Sequence, residues 1–300
     1  MLRRFVEYER ELRHSFDLQI LDAQDKTEGK RMWLVSHYLR ARTLILRNAI
    51  RRNVWIADGL NVLMSLAIEP GDIVFDIGAN VGWRTERAAW LTGKNGKVHS
   101  FEPSPTTCKN LRRRLVCMGL SNVVVNEVAL GAEPGAATLY EYAENYGGSS
   151  SLRTGAAPGQ HLTAETSVEI KTLDDYVKQN LITNVRLVKM DIQGSEIDVL
   201  RGARSFLTAS NPPILYVEIE QVANAAFGYG VNDLLNSIID LGYELYSWRD
   251  NGLVKVYSQT DIPTDGHDDV ICLTPRYHDA LHAKLEQLAM RHLLKVPSQL

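Results

Sequence analysis

Carboxylates recur in this chain where apolar runs stop: Asp76 in Val74-Phe75-Asp76-Ile77, Glu102 in Phe101-Glu102-Pro103, Asp191 in Lys189-Met190-Asp191-Ile192, and Glu218 with Glu220 in Val217-Glu218-Ile219-Glu220. The first opens Asp76-x-Gly78-Ala79-Asn80-x-Gly82, which reads as a buried strand entering a glycine turn and then a helix, a cradle for a cofactor. Its spacing departs from the Gly-x-Gly-x-x-Gly that lets backbone approach a pyrophosphate. Asp76 also sits where a dinucleotide's phosphates would have to lie. A ligand with a cation and an amino acid in place of phosphates suits the turn better, and S-adenosylmethionine is such a ligand. Asn80 tolerates left-handed backbone and can stand in for a glycine.

Glu102 follows Asp76 by 26 positions, and Pro103 and Ser104 come directly after it. A carboxylate there can accept hydrogen bonds from both ribose hydroxyls, which serves NAD and S-adenosylmethionine alike. Glu127, Val128 and Ala129 are expected to border the adenine ring. Asp191 is expected at the mouth of the site, with Lys189 as its partner and Ser195 as a neighbouring helix cap. A Lys-Asp pair that only secures a loop is the plainer alternative. Glu218 and Glu220 are candidates for binding a hydroxyl.

Such residues converge only if strand ends share one edge, as in a doubly wound sheet, where ligands collect outside the carboxyl ends. From Gly71 onward strands and helices alternate. Strands are predicted at 73–77, 97–101, 123–128, 186–190 and 214–219, and helices at 83–91, from Ser104-Pro105, at 196–207 and at 231–241. Tyr243–Trp248 and Leu253–Tyr257 flank Asp250-Asn251-Gly252, a hairpin signal. Val270–Leu273 adds a strand, Tyr277–Leu294 a closing helix, and Thr138–Tyr142 a short extra strand. The stretch 143–167 reads as a long irregular loop whose Gly147-Gly148-Ser149-Ser150-Ser151 core is either a lid over the substrate or a flexible insertion. The expected fold is α/β, a Rossmann-like, mostly parallel sheet with an antiparallel strand near the C-terminal end. A helical extension over 1–69 precedes the cofactor-binding domain at 70–275, and a C-terminal helix and tail fill 276–300.

These segments, in this order, resemble the FkbM-family methyltransferases. The likeness is carried by Gly71-Asp72-x-Val74-x-Asp76-x-Gly78-Ala79-Asn80-x-Gly82, Phe101-Glu102-Pro103, Ala129-Leu130-Gly131, Thr172-Leu173-Asp174-Asp175 and Lys189-Met190-Asp191-Ile192-Gln193-Gly194-Ser195-Glu196. The resemblance implies a class I methyltransferase fold and S-adenosylmethionine-dependent O-methylation of a sugar, glycan or natural-product hydroxyl. On that reading Asp191 is the first choice for the base or for orienting the hydroxyl, Glu218 the second, and Lys189 electrostatic support. Ser149, Ser150, Gln193 and Glu218 are the acceptor-binding candidates, Ser149 and Ser150 because Tyr146–Leu152 is similar to the family's Gly-Ser-Ser loop. The family usually has Glu where this chain has Gln193, which weakens any role for that position as base or metal ligand. It also leaves open a noncatalytic nucleoside-binding module.

Composition sets the remaining bounds. The 300 residues are 45% hydrophobic and 23% charged, enough apolar area for a sizeable core, and a net charge of -3 predicts no general affinity for nucleic acid. Three cysteines, Cys108, Cys117 and Cys272, with no Cys-x-x-Cys pair, point to reduced thiols and a cytoplasmic setting. His278 and His282 lie four apart on an expected helix without a third ligand, so no divalent cation is assigned. No signal-peptide core opens the chain and no run is long enough for a membrane span. Lys30–Arg52 carries seven Lys or Arg and no acid, interleaved with Trp33, Leu39 and Leu44. That makes it a candidate for peripheral contact with anionic lipid or glycan, against the plainer reading of a packed helix with a solvated basic side.

Overall fold

The computed structural model describes residues 59–143, 150–154, 156, 159–249, 252–263 and 267–290. All belong to the compact unit that spans Asp58–Leu300. The basic segment Lys30–Arg52, Ser149 and the tail beyond 290 lie outside the described residues.

Helix α1 (Gly59–Ala67) precedes β1 (Ile73–Ile77), α2 (Trp83–Thr92), β2 (Lys97–Phe101), α3 (Pro105–Cys117) and β3 (Val123–Asn126). Next come β4 (Ala129–Leu130), β5 (Gly135–Ala143), β6 (Ser150–Ser151), β7 (His161–Lys171), α4 (Leu173–Gln179) and β8 (Val185–Met190). The chain continues with α5 (Glu196–Arg201), α6 (Arg204–Leu207), β9 (Ile214–Glu220), α7 (Gln221–Ala226) and α8 (Val231–Ile239). It closes with β10 (Glu244–Arg249), β11 (Gly252–Val256), β12 (His267–Leu273) and α9 (Pro275–Met290).

The main sheet has eight strands in the order β11-β10-β12-β9-β8-β1-β2-β3. Strands β3, β2, β1, β8 and β9 run parallel, whereas β12 is antiparallel to both β9 and β10. Strand order reverses between β1 and β8, so the crevice expected of a doubly wound sheet opens there. Successive residues of β1 face opposite sides: Phe75 and Ile77 join one apolar layer with Leu200 and Leu234, and Val74 joins the other with Leu63, Met64 and Ala88. This two-sided burial is why the parallel strands read as continuous apolar runs. Phe75 is fully buried with edge-on contacts to Phe101 and Tyr176, and its truncation to Ala should cost about 3 to 5 kcal/mol.

Local signals explain the helix starts. Ser104 caps α3 by accepting the Thr107 N–H at 3.2 Å, with Pro105 at the first helical position. In α8, Val231, Leu234, Leu235 and Ile238 are buried at helical spacing.

The structure differs from the sequence expectations in three places. The stretch 143–167 is not all loop, because β7 begins at His161 and pairs along β5 in a second sheet ordered β4-β7-β5-β6. Most of β7's side chains up to Ser167 are exposed, so the apolar alternation that betrays a strand is faint. Helix 196–207 is two helices broken at Gly202-Ala203, where the close backbone of Gly131 leaves Gly202 no space for a side chain. Strand β3 stops at Asn126, two residues short of Val128. Helix α1 packs Leu60, Leu63 and Met64 in one apolar cluster with Val74, Leu187 and Ile214 of the sheet and Tyr277 and Leu281 of α9.

Candidate active site

Two loops, one after β1 and one after β8, meet at the strand-order reversal. Residues Gly78 (φ +75°), Asn80 (φ 48°) and Gly82 (φ 91°) give the first loop its left-handed turns, and Gln193 (φ 55°) with Gly194 (φ 107°) do so in the second. A side chain at Gly78 would lie 1.8 Å from the Asp191 carbonyl oxygen. Asp191 N–H donates to Ile77 O at 3.2 Å, and both Gly78 and Ala79 N–H groups donate to Phe101 O at 3.0 Å.

Over these loops lies a cavity of about 480 Å³, within the range of small-molecule sites. Of the expected residues, Gly78, Asn80, Glu102, Pro103, Val128, Ala129, Ser150, Asp191, Gln193 and Glu218 line it. Others stand behind or outside. Asp76 is wholly buried, accepting from Thr85 Oγ1 at 2.5 Å and lying 3.4 Å from Lys189 Nζ. Lys189 is itself buried under the turn, donating to Gly78 O at 2.7 Å and Ile77 O at 3.3 Å. Gly82 starts α2, and Ala79 is buried. Glu127 turns away and pairs with Arg112 at 2.7 Å, because its neighbour Val128 takes the inward direction and adjacent residues of extended chain point oppositely. Ser195, by contrast, lines the cavity from the N-cap position of α5 without a side-chain cap bond, and Glu196 accepts the Ile192 and Gly194 N–H groups at 3.2 and 3.3 Å.

The cavity has two acidic ends. At one, Lys189 Nζ lies 3.2 Å from Asp191 Oδ2, and Gln193 Nε2 donates to Glu218 Oε2 at 2.8 Å. Ser151 Oγ donates to the Gln193 carbonyl at 3.1 Å. Burial would raise the Asp191 pKa, but Lys189 and hydrogen bonds from Glu218 and Gln193 hold it below the ordinary carboxylate value. Burial and the Asp191 charge push Glu218 up to about 10. The pair therefore keeps one proton at neutral pH, on Glu218. Lys189 stays charged, since Asp191 and Asp76 outweigh its desolvation and raise its pKa. Asp191 retains 40% side-chain exposure, all the more telling because it faces the cavity.

At the other end, Glu102 accepts the Asn80 N–H and the Ser104 N–H, each at 2.9 Å. Burial pushes its pKa up to about 7, with those two N–H groups opposing. Ser104 Oγ donates to Glu141 Oε1 at 2.5 Å, and Thr166 Oγ1 to its other oxygen at 3.3 Å. Glu141 was not anticipated. It lies in β5, and only the pairing of β5 with β7 turns it toward the cavity.

The donor set suits a cationic nucleoside. Glu102, Glu141, Asp191 and Glu218 line the cavity with Ile77, Phe101, Val128 and Leu139, and no Lys or Arg is among the described lining residues. A pyrophosphate would meet acid without counter-charge. Among the described residues, no group of three or more His, Cys, Asp or Glu is arranged to hold a metal, and no helix is long and apolar enough to cross a membrane. His278 stacks on Tyr246, 5.3 Å between ring centres.

A parallel sheet with reversed order at β1/β8, an antiparallel β12 inserted between β9 and β10, and a cavity at the carboxyl ends define the class I methyltransferase fold. Within that class the chain belongs to the FkbM methyltransferase family, whose domain model matches residues 76–245. It is 29% identical over 170 residues to the 2-O-methyltransferase NoeI of Sinorhizobium fredii, covering 52% of this chain and 66% of that protein. It is 32% identical over 160 residues to the 31-O-demethyl-FK506 methyltransferase FkbM of Streptomyces tacrolimicus, covering 45% and 60%. The hexuronic acid methyltransferase AglP of Haloferax volcanii is 27% identical over 160 residues, covering 51% and 59%. The chain thus spans about three fifths of the length of these relatives.

Proposed function

We propose that this protein binds S-adenosylmethionine in the 480 Å³ cavity and O-methylates a hydroxyl of a sugar, glycan or natural product. The observation that carries the reading is an ionised, cavity-facing Asp191 held by the buried Lys189, beside acidic walls that offer a sulfonium compound its counter-charge. Family membership and the O-methyltransferase names of the relatives support it.

When bound, S-adenosylmethionine supplies an electrophilic methyl group, so positioning and proton removal are what remain for the protein. Glu102 is placed to accept hydrogen bonds from the ribose hydroxyls, and Val128, Ala129 and Leu130 offer an apolar surface to the base. Asp76 does not reach the cavity; its work is to hold Lys189, and so to fix Asp191. Asp191 orients the acceptor hydroxyl and takes its proton as the new O–C bond forms. A depressed pKa is adequate, because an oxygen gaining a methyl cation becomes strongly acidic. Protonated Glu218 and the Gln193 amide both hydrogen-bond to that carboxylate and keep it aimed, and the amide also donates to Glu218.

Gln193 also motivates a second reading, a binding module without turnover. Calorimetric titration with S-adenosylhomocysteine tests the pocket, and transfer of labelled methyl into polysaccharide, lipid and small-metabolite fractions tests the chemistry. Binding without transfer to any fraction would favour the module, and no binding would remove both readings.

A further inference from the structure

A second groove of about 320 Å³ adjoins the acceptor end of the main cavity, sharing Leu152 as a wall. Its floor is tied to the reactive loop: the Phe227 ring packs against Gly194, where an added Cβ would come within 2.8 Å of Cδ2. Tyr229, next to Phe227 in ring contact, donates its hydroxyl to the Gly194 carbonyl. The Arg153 guanidinium stands over the Phe227 ring, 5.7 Å from its centre. Among the described residues Arg153 meets no carboxylate, and the acid in the groove wall, Asp198, is held by Arg201 at 3.1 Å. Among the described lining residues the main cavity offers no Lys or Arg and this groove offers Arg153, so an anionic group on an acceptor finds a counter-charge here.

We propose that the groove is an acceptor subsite for an anionic sugar whose carboxylate meets Arg153, held over the Phe227 ring, next to the sugar whose hydroxyl faces Asp191. A guanidinium forks onto a carboxylate, and its stacking on the ring orients that fork. Leu152 separates the two seats, so one linkage passes over it. The relative that acts on hexuronic acid is consistent with this chemistry. The inference deepens the proposed function and rests on it.

The test uses the full chain saturated with S-adenosylhomocysteine and two probes, a glucuronate-containing disaccharide and lactose, followed by calorimetry and saturation-transfer NMR. The glucuronate probe should bind more tightly than lactose. Arg153→Ala should weaken it by about tenfold, and Arg153→Lys should restore part of the loss. Lactose binding should not respond to Arg153. Equal binding of the two probes, an Arg153→Ala affinity equal to wild type, or binding of neither probe would each overturn the subsite. If S-adenosylhomocysteine binds normally in those cases, the methyltransferase reading survives; if it does not bind, that reading fails first. A sulfated disaccharide of the same linkage separates a carboxylate requirement from a general anionic one.

Discussion

The two acidic ends of the cavity hold similar charge by different means. Around Asp191 and Glu218 the neutralising partners are a buried ammonium, an amide and a retained proton. Around Glu102 and Glu141 they are backbone N–H groups and hydroxyls. A buried charge pair is geometrically stiff and costly to break, whereas neutral donors leave the net negative charge in place to attract a cation. On the proposed function, the Asp191 end is thus suited to aim, and the Glu102 end to affinity.

Five substitutions probe this contrast, and the largest effect is expected at Asp191. Asp191→Asn should lower turnover by about 10² to 10⁴-fold while S-adenosylhomocysteine affinity and thermal stability change little; normal turnover on a true acceptor would take Asp191 out of the chemistry. Lys189→Met strands Asp76 and Asp191 without their cation, and should cost about 3 to 5 kcal/mol in urea denaturation. Glu141→Gln at the other end should cost under about 1 kcal/mol. Similar losses for the two would erase the distinction between the ends.

Glu102→Gln sharpens it through pH. With a folded pKa of about 7 against an ordinary 4.5, the folded state holds this proton more tightly. The stability that follows is complete below pH 4.5 and is lost as pH rises through about 7. The Gln variant should therefore exceed wild type at pH 8 by on the order of 1 to 3 kcal/mol and match it near pH 4. It should also bind S-adenosylhomocysteine about tenfold more weakly and lose wild type's decline in affinity between pH 8 and 6. A pH-independent wild-type affinity would place the ribose elsewhere. A small change, comparable to that of Glu141→Gln, is expected for Ser104→Ala, which removes the α3 cap and the link to Glu141: about 1 kcal/mol, visible as a Tm lower by a few degrees.

Sequence and structure agree most closely where burial is continuous. The parallel strands β1, β8 and β9 announce themselves as apolar runs, and Ser104-Pro105 marks a helix start by backbone chemistry alone. Legibility falls where a residue's direction is set by a distant partner. Asp76 looks like a ligand-facing acid until Thr85 and Lys189 are seen to enclose it. Glu141 is silent because half of its sheet, β7, exposes most of its side chains. Glu127 is a question of one peptide plane, settled by where β3 ends.

The interlock between Gly78 and the Asp191 carbonyl bears on assembly. With no room between the two backbones, β8 slipped along β1 by one position would drive one chain into the other and bring Ile192 or Met190 where the carboxylate belongs. If Asp191 acts as proposed, the same contact proofreads strand alignment, since a misaligned chain can neither close the turn nor present that acid.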